Sequence, residues 1–240
     1  MFPYQDKLLM RTLLKLNVFL IASVVGMLLA GSLQAAVIYA NSTNDLVTRF
    51  NPGTTEVGDQ IMLAGTERML TSFSFEFWGT NTASPTSFAG TIQARVRFYE
   101  NNGAPFNGYL APGTNFFDSG WFSVLSPTER STFIFTAGSD FPSWGLFIPA
   151  DEMTWSVEFS GMGGTDSVGV DLYSPPTVGQ NYDDYWSYSG SSWTLQTNSV
   201  ATMSFGAYME AVVPEPSTVT LSIMGGLGML LLTRRLRREK

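Results

Sequence analysis

The sequence predicts an all-β fold, an antiparallel β-sandwich or jelly-roll-like domain, and two observations lead to this prediction. In several short segments of the 240-residue chain, apolar and polar residues alternate with period two, as they do in strands with one buried face. Loops rich in Gly, Pro, Asn, Asp and Ser separate these segments, and no helical period is sustained between residues 36 and 212. A closed barrel is the alternative arrangement of such strands.

The strands are predicted as follows, in chain order. A weak strand lies near Val37, and a clear one lies in TSFSFEFWG, where Phe73, Phe75 and Phe77 share one face. Clear strands also lie in TIQARVRFYE, MTWSVEFSG and TMSFGAYMEAVV, and weaker ones around residues 133–135, 168–172 and 193–197. The residues of the three later clear strands that we expect in the core are Ile92, Ala94, Val96, Phe98, Met153, Trp155, Val157, Phe159, Met203, Phe205, Ala207, Met209 and Ala211.

The chain divides into three parts, and the first, residues 1–35, has the order of a secretory signal peptide. Basic residues come first (Lys7, Arg11 and Lys15), an apolar helical run over residues 16–30 follows, and small residues come last. Cleavage is expected after Ala35 or Ala36, with Ser32 as a further candidate, and an uncleaved membrane anchor is the alternative. In either case the β-domain, residues 36–212, leaves the cytoplasm.

The composition of the β-domain excludes several kinds of chemistry. The chain has no cysteine and no histidine, so disulfides, thiolate metal sites and imidazole bases are absent. The domain contains five arginines and 17 acidic residues, which gives a net charge of −12. Such a domain would be repelled by nucleic acid and by anionic lipid, so we expect no nucleic-acid partner.

The third part, residues 213–240, contains three features in a fixed order. A motif with two prolines precedes an uncharged apolar run over 218–233, and a basic tail over 234–240 follows. Sixteen helical residues span about 24 Å, less than the bilayer core of about 30 Å, but a basic flank favours a transmembrane helix because such residues stay on the cytoplasmic side. The motif consists of Val213, Pro214, Glu215, Pro216, Ser217 and Thr218, and the arginines of the tail are Arg234, Arg235, Arg237 and Arg238.

This carboxyl-terminal part resembles the PEP-CTERM sorting signal of Gram-negative bacteria. The resemblance implies that an exosortase recognises the region of Pro214, Glu215 and Pro216 and removes the helix and the basic tail. Members of this family are exported across the inner membrane to the cell envelope or the medium, and they are often associated with exopolysaccharide or biofilm. The processing partners implied are signal peptidase and exosortase, and a plain single-pass membrane anchor is the alternative.

The densest group of aromatic residues, in residues 181–193, is the best candidate for glycan binding. Aromatic faces stack on sugar rings while neighbouring polar groups bind the hydroxyls. The alternative is that the rings of this segment, which we predict to be a long loop, fold back to close one end of the sandwich. The candidate residues are Tyr182, Tyr185, Trp186, Tyr188 and Trp193.

Acid–base catalysis in this domain would have to use carboxylates, and glycoside hydrolysis is the chemistry that does so. The candidates, Glu76, Glu158, Asp151, Glu152, Asp183 and Asp184, show no spacing that places two acids in one cleft. We therefore expect a non-catalytic surface or matrix protein without a cofactor, and a glycan-active enzyme or a purely structural protein is the alternative. Calcium could bind acidic loops, first of all Asp183 and Asp184.

Overall fold

The computed structural model describes residues 35–197 and 202–213, and every regular element within these ranges is a β-strand. In the same ranges no helix is long and apolar enough to cross a membrane. Four predicted features lie outside the described residues: the signal peptide except Ala35, the sorting motif except Val213, the helix over 218–233 and the basic tail over 234–240.

The described residues form seventeen strands, several of them very short. The first nine are β1 (Ala36–Asn41), β2 (Asp45–Phe50), β3 (Glu56–Met62), β4 (Met69–Asn81), β5 (Gln93–Glu100), β6 (Pro105–Phe106), β7 (Tyr109–Leu110), β8 (Asn115–Asp118) and β9 (Phe122–Ser123). The other eight are β10 (Thr128–Thr136), β11 (Leu146–Phe147), β12 (Glu152–Ser160), β13 (Asp166–Tyr173), β14 (Gln180–Asn181), β15 (Asp184–Ser189), β16 (Ser192–Thr197) and β17 (Ala207–Val212).

The strands form two large antiparallel sheets and one small hairpin, which confirms the predicted all-β class. The seven-stranded sheet has the order β1-β17-β4-β13-β2, with β10 and β11 also paired to β4. The eight-stranded sheet has the order β16-β15-β3-β12-β5-β8, with β14 paired to β3 and β9 paired to β5. Strands β6 and β7 pair only with each other.

The core lies between the inner faces of the two large sheets. Trp155 of β12 is fully buried, and its ring centroid lies 5.4 Å from that of Phe73 on β4 and 5.8 Å from that of Phe205. Phe98 of β5 also meets Phe73 edge to face at 4.9 Å. The side chains that the alternation placed in the core are buried, so this part of the prediction is confirmed.

One core position carries a carboxyl group that the alternation did not predict. Asp59 of β3 is fully buried, and its Oδ2 accepts a hydrogen bond of 2.8 Å from the backbone N–H of Phe205. Its Oδ1 has no hydrogen-bond partner among the described residues. Burial, together with the nearby charge of Asp184, raises the pKa of Asp59 well above its ordinary range.

The two ends of the sandwich are distinguished by the loops that cross between the sheets. At the end that we call proximal, residues 63–68 connect β3 to β4, and the domain's first and last strands pair there through Ala36 and Ala211. At the opposite, distal end, residues 161–165 connect β12 to β13. The described chain therefore begins and finishes at the proximal end.

Candidate functional site

An open groove of about 480 Å³ lies on the outer face of the eight-stranded sheet, towards the distal end. Its lining comes from strands β3, β5, β12 and β15, from the loop before β3 and from the turn after β15. The lining residues are Thr54, Glu56, Arg97, Tyr99, Glu158, Tyr188 and Gly190.

The floor of the groove is made of outward-facing residues on adjacent strands. In the antiparallel register, Tyr188 of β15 lies opposite Glu56 of β3, and Arg97 of β5 lies opposite Ser156 of β12. Directly paired residues point to the same face of a sheet, so these side chains converge although they are far apart in sequence. Gly58 of β3 leaves room for the side chain of Thr154 on β12, because a Cβ there would lie 2.6 Å from Cγ2 of Thr154.

Arg97 holds two carboxylates together at the centre of the floor. It pairs with Glu56 through Nη1, and its Nη2 donates to Oε2 of Glu158 at 3.0 Å. Burial opposes the charge of Arg97, but the attraction of Glu56, Tyr99 and Glu158 raises the pKa of its guanidinium. Oε1 of Glu56 also accepts hydrogen bonds from Ser156 at 2.6 Å and Tyr99 at 3.0 Å.

The wall of the groove contains an aromatic cluster with one accessible ring. Tyr188 and Trp193 are paired across strands β15 and β16, with ring centroids 5.0 Å apart, and Tyr99 meets Trp193 edge to face at 5.4 Å. Tyr188 is 37% exposed, whereas Trp193 and Tyr99 are half-buried. The turn between the two strands uses Gly190 at a φ of +69°, a conformation that favours glycine.

The structure divides the five aromatic residues proposed for glycan binding. Tyr188 and Trp193 lie at the groove, whereas Tyr182 donates a hydrogen bond of 2.9 Å to Glu152. Tyr185 points into the core, and Trp186 is fully buried on the outer face, where its Nε1 donates to Gln60 at 2.8 Å. The segment is a strand pair and not the loop that we predicted, so that part of the prediction is wrong.

The six carboxylates considered for catalysis do not form one cluster. Only Glu158 lies in the groove, and its neighbour there is Glu56, which the sequence reasoning missed. Glu76 lies on the other sheet, where it pairs with Arg130, and Asp151 pairs with Arg68 at 2.6 Å.

The two acids considered for calcium, Asp183 and Asp184, lie at the start of β15. Asp183 is exposed, and Asp184 is half-buried, with a pKa that burial and the charge of Asp183 raise. Among residues 35–197 and 202–213, no group of three or more His, Cys, Asp or Glu side chains is arranged to hold a metal ion. Calcium at these two residues stays a prediction.

A second charged groove, of about 460 Å³, lies on the outer face of the seven-stranded sheet. Its wall includes Asp171, whose Oδ1 lies 3.2 Å from Nε of Arg49. The guanidinium of Arg130 lies 5.1 Å from the ring centroid of Tyr173, which is fully buried. This groove therefore contains charge but offers no accessible aromatic ring face, and it is the weaker candidate for glycan binding.

The groove on the eight-stranded sheet thus places an open aromatic ring beside hydrogen-bonding charges. Comparisons of this chain with protein-family models, with curated proteins and with solved structures give no match.

Proposed function

We propose that the protein is an exported, non-catalytic surface or matrix protein that binds exopolysaccharide in the groove on the eight-stranded sheet. The observation that carries this proposal is the accessible ring of Tyr188 beside a floor of hydrogen-bonding groups on Glu56, Arg97 and Glu158. A sugar has the matching chemistry, because its ring presents C–H groups on its faces and hydroxyl groups at its edges.

The charge of the domain favours an uncharged glycan. Two carboxylates flank a single guanidinium in the floor, and the domain as a whole carries a net charge of −12. An acidic polymer would be repelled at long range, whereas sugar hydroxyls both donate to carboxylates and accept from arginine. We therefore infer that a neutral stretch of polysaccharide is the preferred ligand.

Export and sorting are the second part of the proposal, and the sequence supports them. The signal peptide would deliver the domain across the inner membrane, and the motif at 213–218 would be recognised by an exosortase. Val213, the motif residue that the structure describes, is 51% exposed just after the last strand, so a protease could reach the chain there.

Mass spectrometry of the carboxyl terminus, in envelope and medium fractions, tests the sorting step. We expect a terminus near Glu215 or Pro216, because exosortase cleavage would remove the apolar run and the basic tail together. An intact terminus at Lys240 in both fractions would contradict sorting and leave a plain membrane anchor.

Glycan binding is tested with the variant Tyr188→Ala. Loss of an aromatic contact at the centre of a site weakens binding by about tenfold or more, so we expect at least this loss of affinity for neutral polysaccharide in affinity electrophoresis or calorimetry. Trp144→Ala is the matched control, because Trp144 is 73% exposed and does not line the groove. Equal affinities of the two variants, or no binding by the unmodified protein, would contradict the proposal. Release of reducing ends from the polymer would instead favour a glycan-active enzyme.

A further inference from the structure

We propose that the proximal end of the seven-stranded sheet rests on the surface of a zwitterionic lipid bilayer while the carboxyl-terminal anchor is in place. The inference rests on the proposed membrane anchor and goes beyond it, because an anchor alone leaves the orientation of the domain free. The surface in question consists of Phe147, Met69, Val212 and Val213, with Trp144 beside them, and we call it the proximal apolar surface.

Three of these residues form a continuous row across neighbouring strands. Phe147 of β11 lies opposite Met69 of β4, and Met69 lies opposite Val212 of β17 on its other side. Their neighbours Leu70 and Ala211 are buried in the core, so the row itself points outwards. It is the last row of the sheet at the proximal end.

Phe147 is the exposed residue of the row, Met69 and Val212 are half-buried, and the adjoining segments extend the surface. Phe147 is 55% exposed, and Val213 directly follows the row. Trp144 belongs to the turn that leads into β11, in which the N–H of Gly145 donates to the carbonyl of Pro142 at 2.8 Å. Large aromatic side chains of this kind are enriched where proteins meet the interfacial region of a membrane.

The next outward-facing position towards the distal end is polar. Glu210 lies two residues before Val212 and therefore on the same face, and its carboxylate accepts a hydrogen bond of 2.8 Å from Tyr208. The outer face thus changes from apolar to charged within one step along the strand. This boundary fits a shallow contact in which only the proximal edge of the sheet enters the membrane interface. The net negative charge of the domain disfavours anionic lipid.

The short connection between the last strand and the predicted membrane helix keeps the proximal apolar surface near lipid. Five residue steps separate Val213 from Thr218, where the predicted membrane helix begins, so a fully extended connection spans at most about 18 Å. The proximal apolar surface is therefore held close to the bilayer whatever the orientation of the domain. A tether of this length gives a high effective concentration, so contacts too weak to bind a free domain are sufficient.

Fluorescence quenching by lipid tests the inference on the full chain, which contains no cysteine of its own. Ser143→Cys places a label beside Trp144, and Ser126→Cys places the same label beside Leu125 near the distal end; both serines are exposed. After reconstitution into phosphatidylcholine vesicles that carry quencher-labelled lipid, we expect the label at residue 143 to be quenched several-fold more strongly than the label at residue 126. In the background Trp144→Ser with Phe147→Ser, we expect this difference to disappear.

The outcomes separate this inference from the proposed anchor. If the full chain fails to float with the vesicles, the anchor is contradicted and docking falls with it. If the chain floats but the two labels are quenched equally, docking alone is overturned. Loss of the difference on adding anionic lipid supports the zwitterionic preference, and an increase would overturn that preference.

Discussion

Replacement of Arg97 by methionine is expected to lower the free energy of unfolding by about 3–5 kcal/mol, the cost of leaving a buried carboxylate without its partner. The side chain of Arg97 is 13% exposed and that of Glu56 is 5% exposed, so water in the groove replaces the guanidinium only in part. Methionine keeps much of the side-chain volume, which isolates the effect of charge. Chemical denaturation at neutral pH measures the loss, and binding of neutral polysaccharide should be lost with it.

A neighbouring pair provides the matched control for this experiment. Arg95 pairs with Asp118 on the same face, and both side chains are about one-third exposed. Asp118 also lies 3.5 Å from Nε of Arg97 and would keep that partner, so Arg95→Met should cost only about 1 kcal/mol or less. Adding Glu56→Gln to Arg97→Met removes the unpaired charge and should restore part of the lost stability. If Arg97→Met costs no more than Arg95→Met, or if the second substitution restores nothing, the ion pair in the floor does not contribute as we infer.

The second large effect is a pH dependence that comes from Asp171. Burial raises the pKa of this carboxyl group from 3.8 to about 6, and the charge of Glu76 adds to the shift while Arg49 opposes it. The folded protein therefore holds the proton more tightly than the unfolded chain. The contribution of protonated Asp171 to the free energy of unfolding is complete below about pH 4 and is lost as the pH rises through 6. The free energy of unfolding should fall by about 2–3 kcal/mol over this range.

The variant Asp171→Asn tests this dependence, because asparagine keeps the shape and cannot ionise. The stability of Asp171→Asn relative to the unmodified protein should increase by about 2–3 kcal/mol between pH 4 and pH 7. Denaturation curves at several pH values measure the difference, and Asp140→Asn, at an exposed carboxylate, controls for the loss of one charge. A difference that stays constant with pH would show that Asp171 is not the titrating group.

The strands that the sequence predicts best are those whose environment is simplest. Strands β4, β5, β12 and β17 each have one face in the core, so burial imposes a strict alternation that can be read without knowing the partner strand. Strand β3 lacks this alternation in its sequence, because Glu56, Gly58 and Asp59 interrupt its apolar residues. Buried polar groups on both faces of β3 remove the alternation on which the prediction depended.

The candidate site was harder to predict, because strand pairing creates it. The floor residues come together only when β3, β12 and β5 lie side by side, and these residues are Glu56, Arg97 and Glu158. No local spacing in the sequence predicts that strand order. In the aromatic segment, Tyr188 lines the groove and Trp193 packs against Tyr188, while glycan binding by these rings stays a prediction. The rings of this segment are divided between the groove and the core because side chains alternate along a strand. The many small polar residues of the segment obscured this alternation in the sequence.

The strand order of the seven-stranded sheet also constrains when the domain can form. The last strand to be made, β17, lies between β4 and the first strand, β1, and among the described strands β1 pairs with β17 alone. Synthesis proceeds from the amino terminus, so β1 must wait without its neighbouring strand until nearly the whole domain has been made. A polypeptide that stops before Ala207 cannot complete this sheet. The seven-stranded sheet therefore finishes folding only after almost the whole domain has been synthesised.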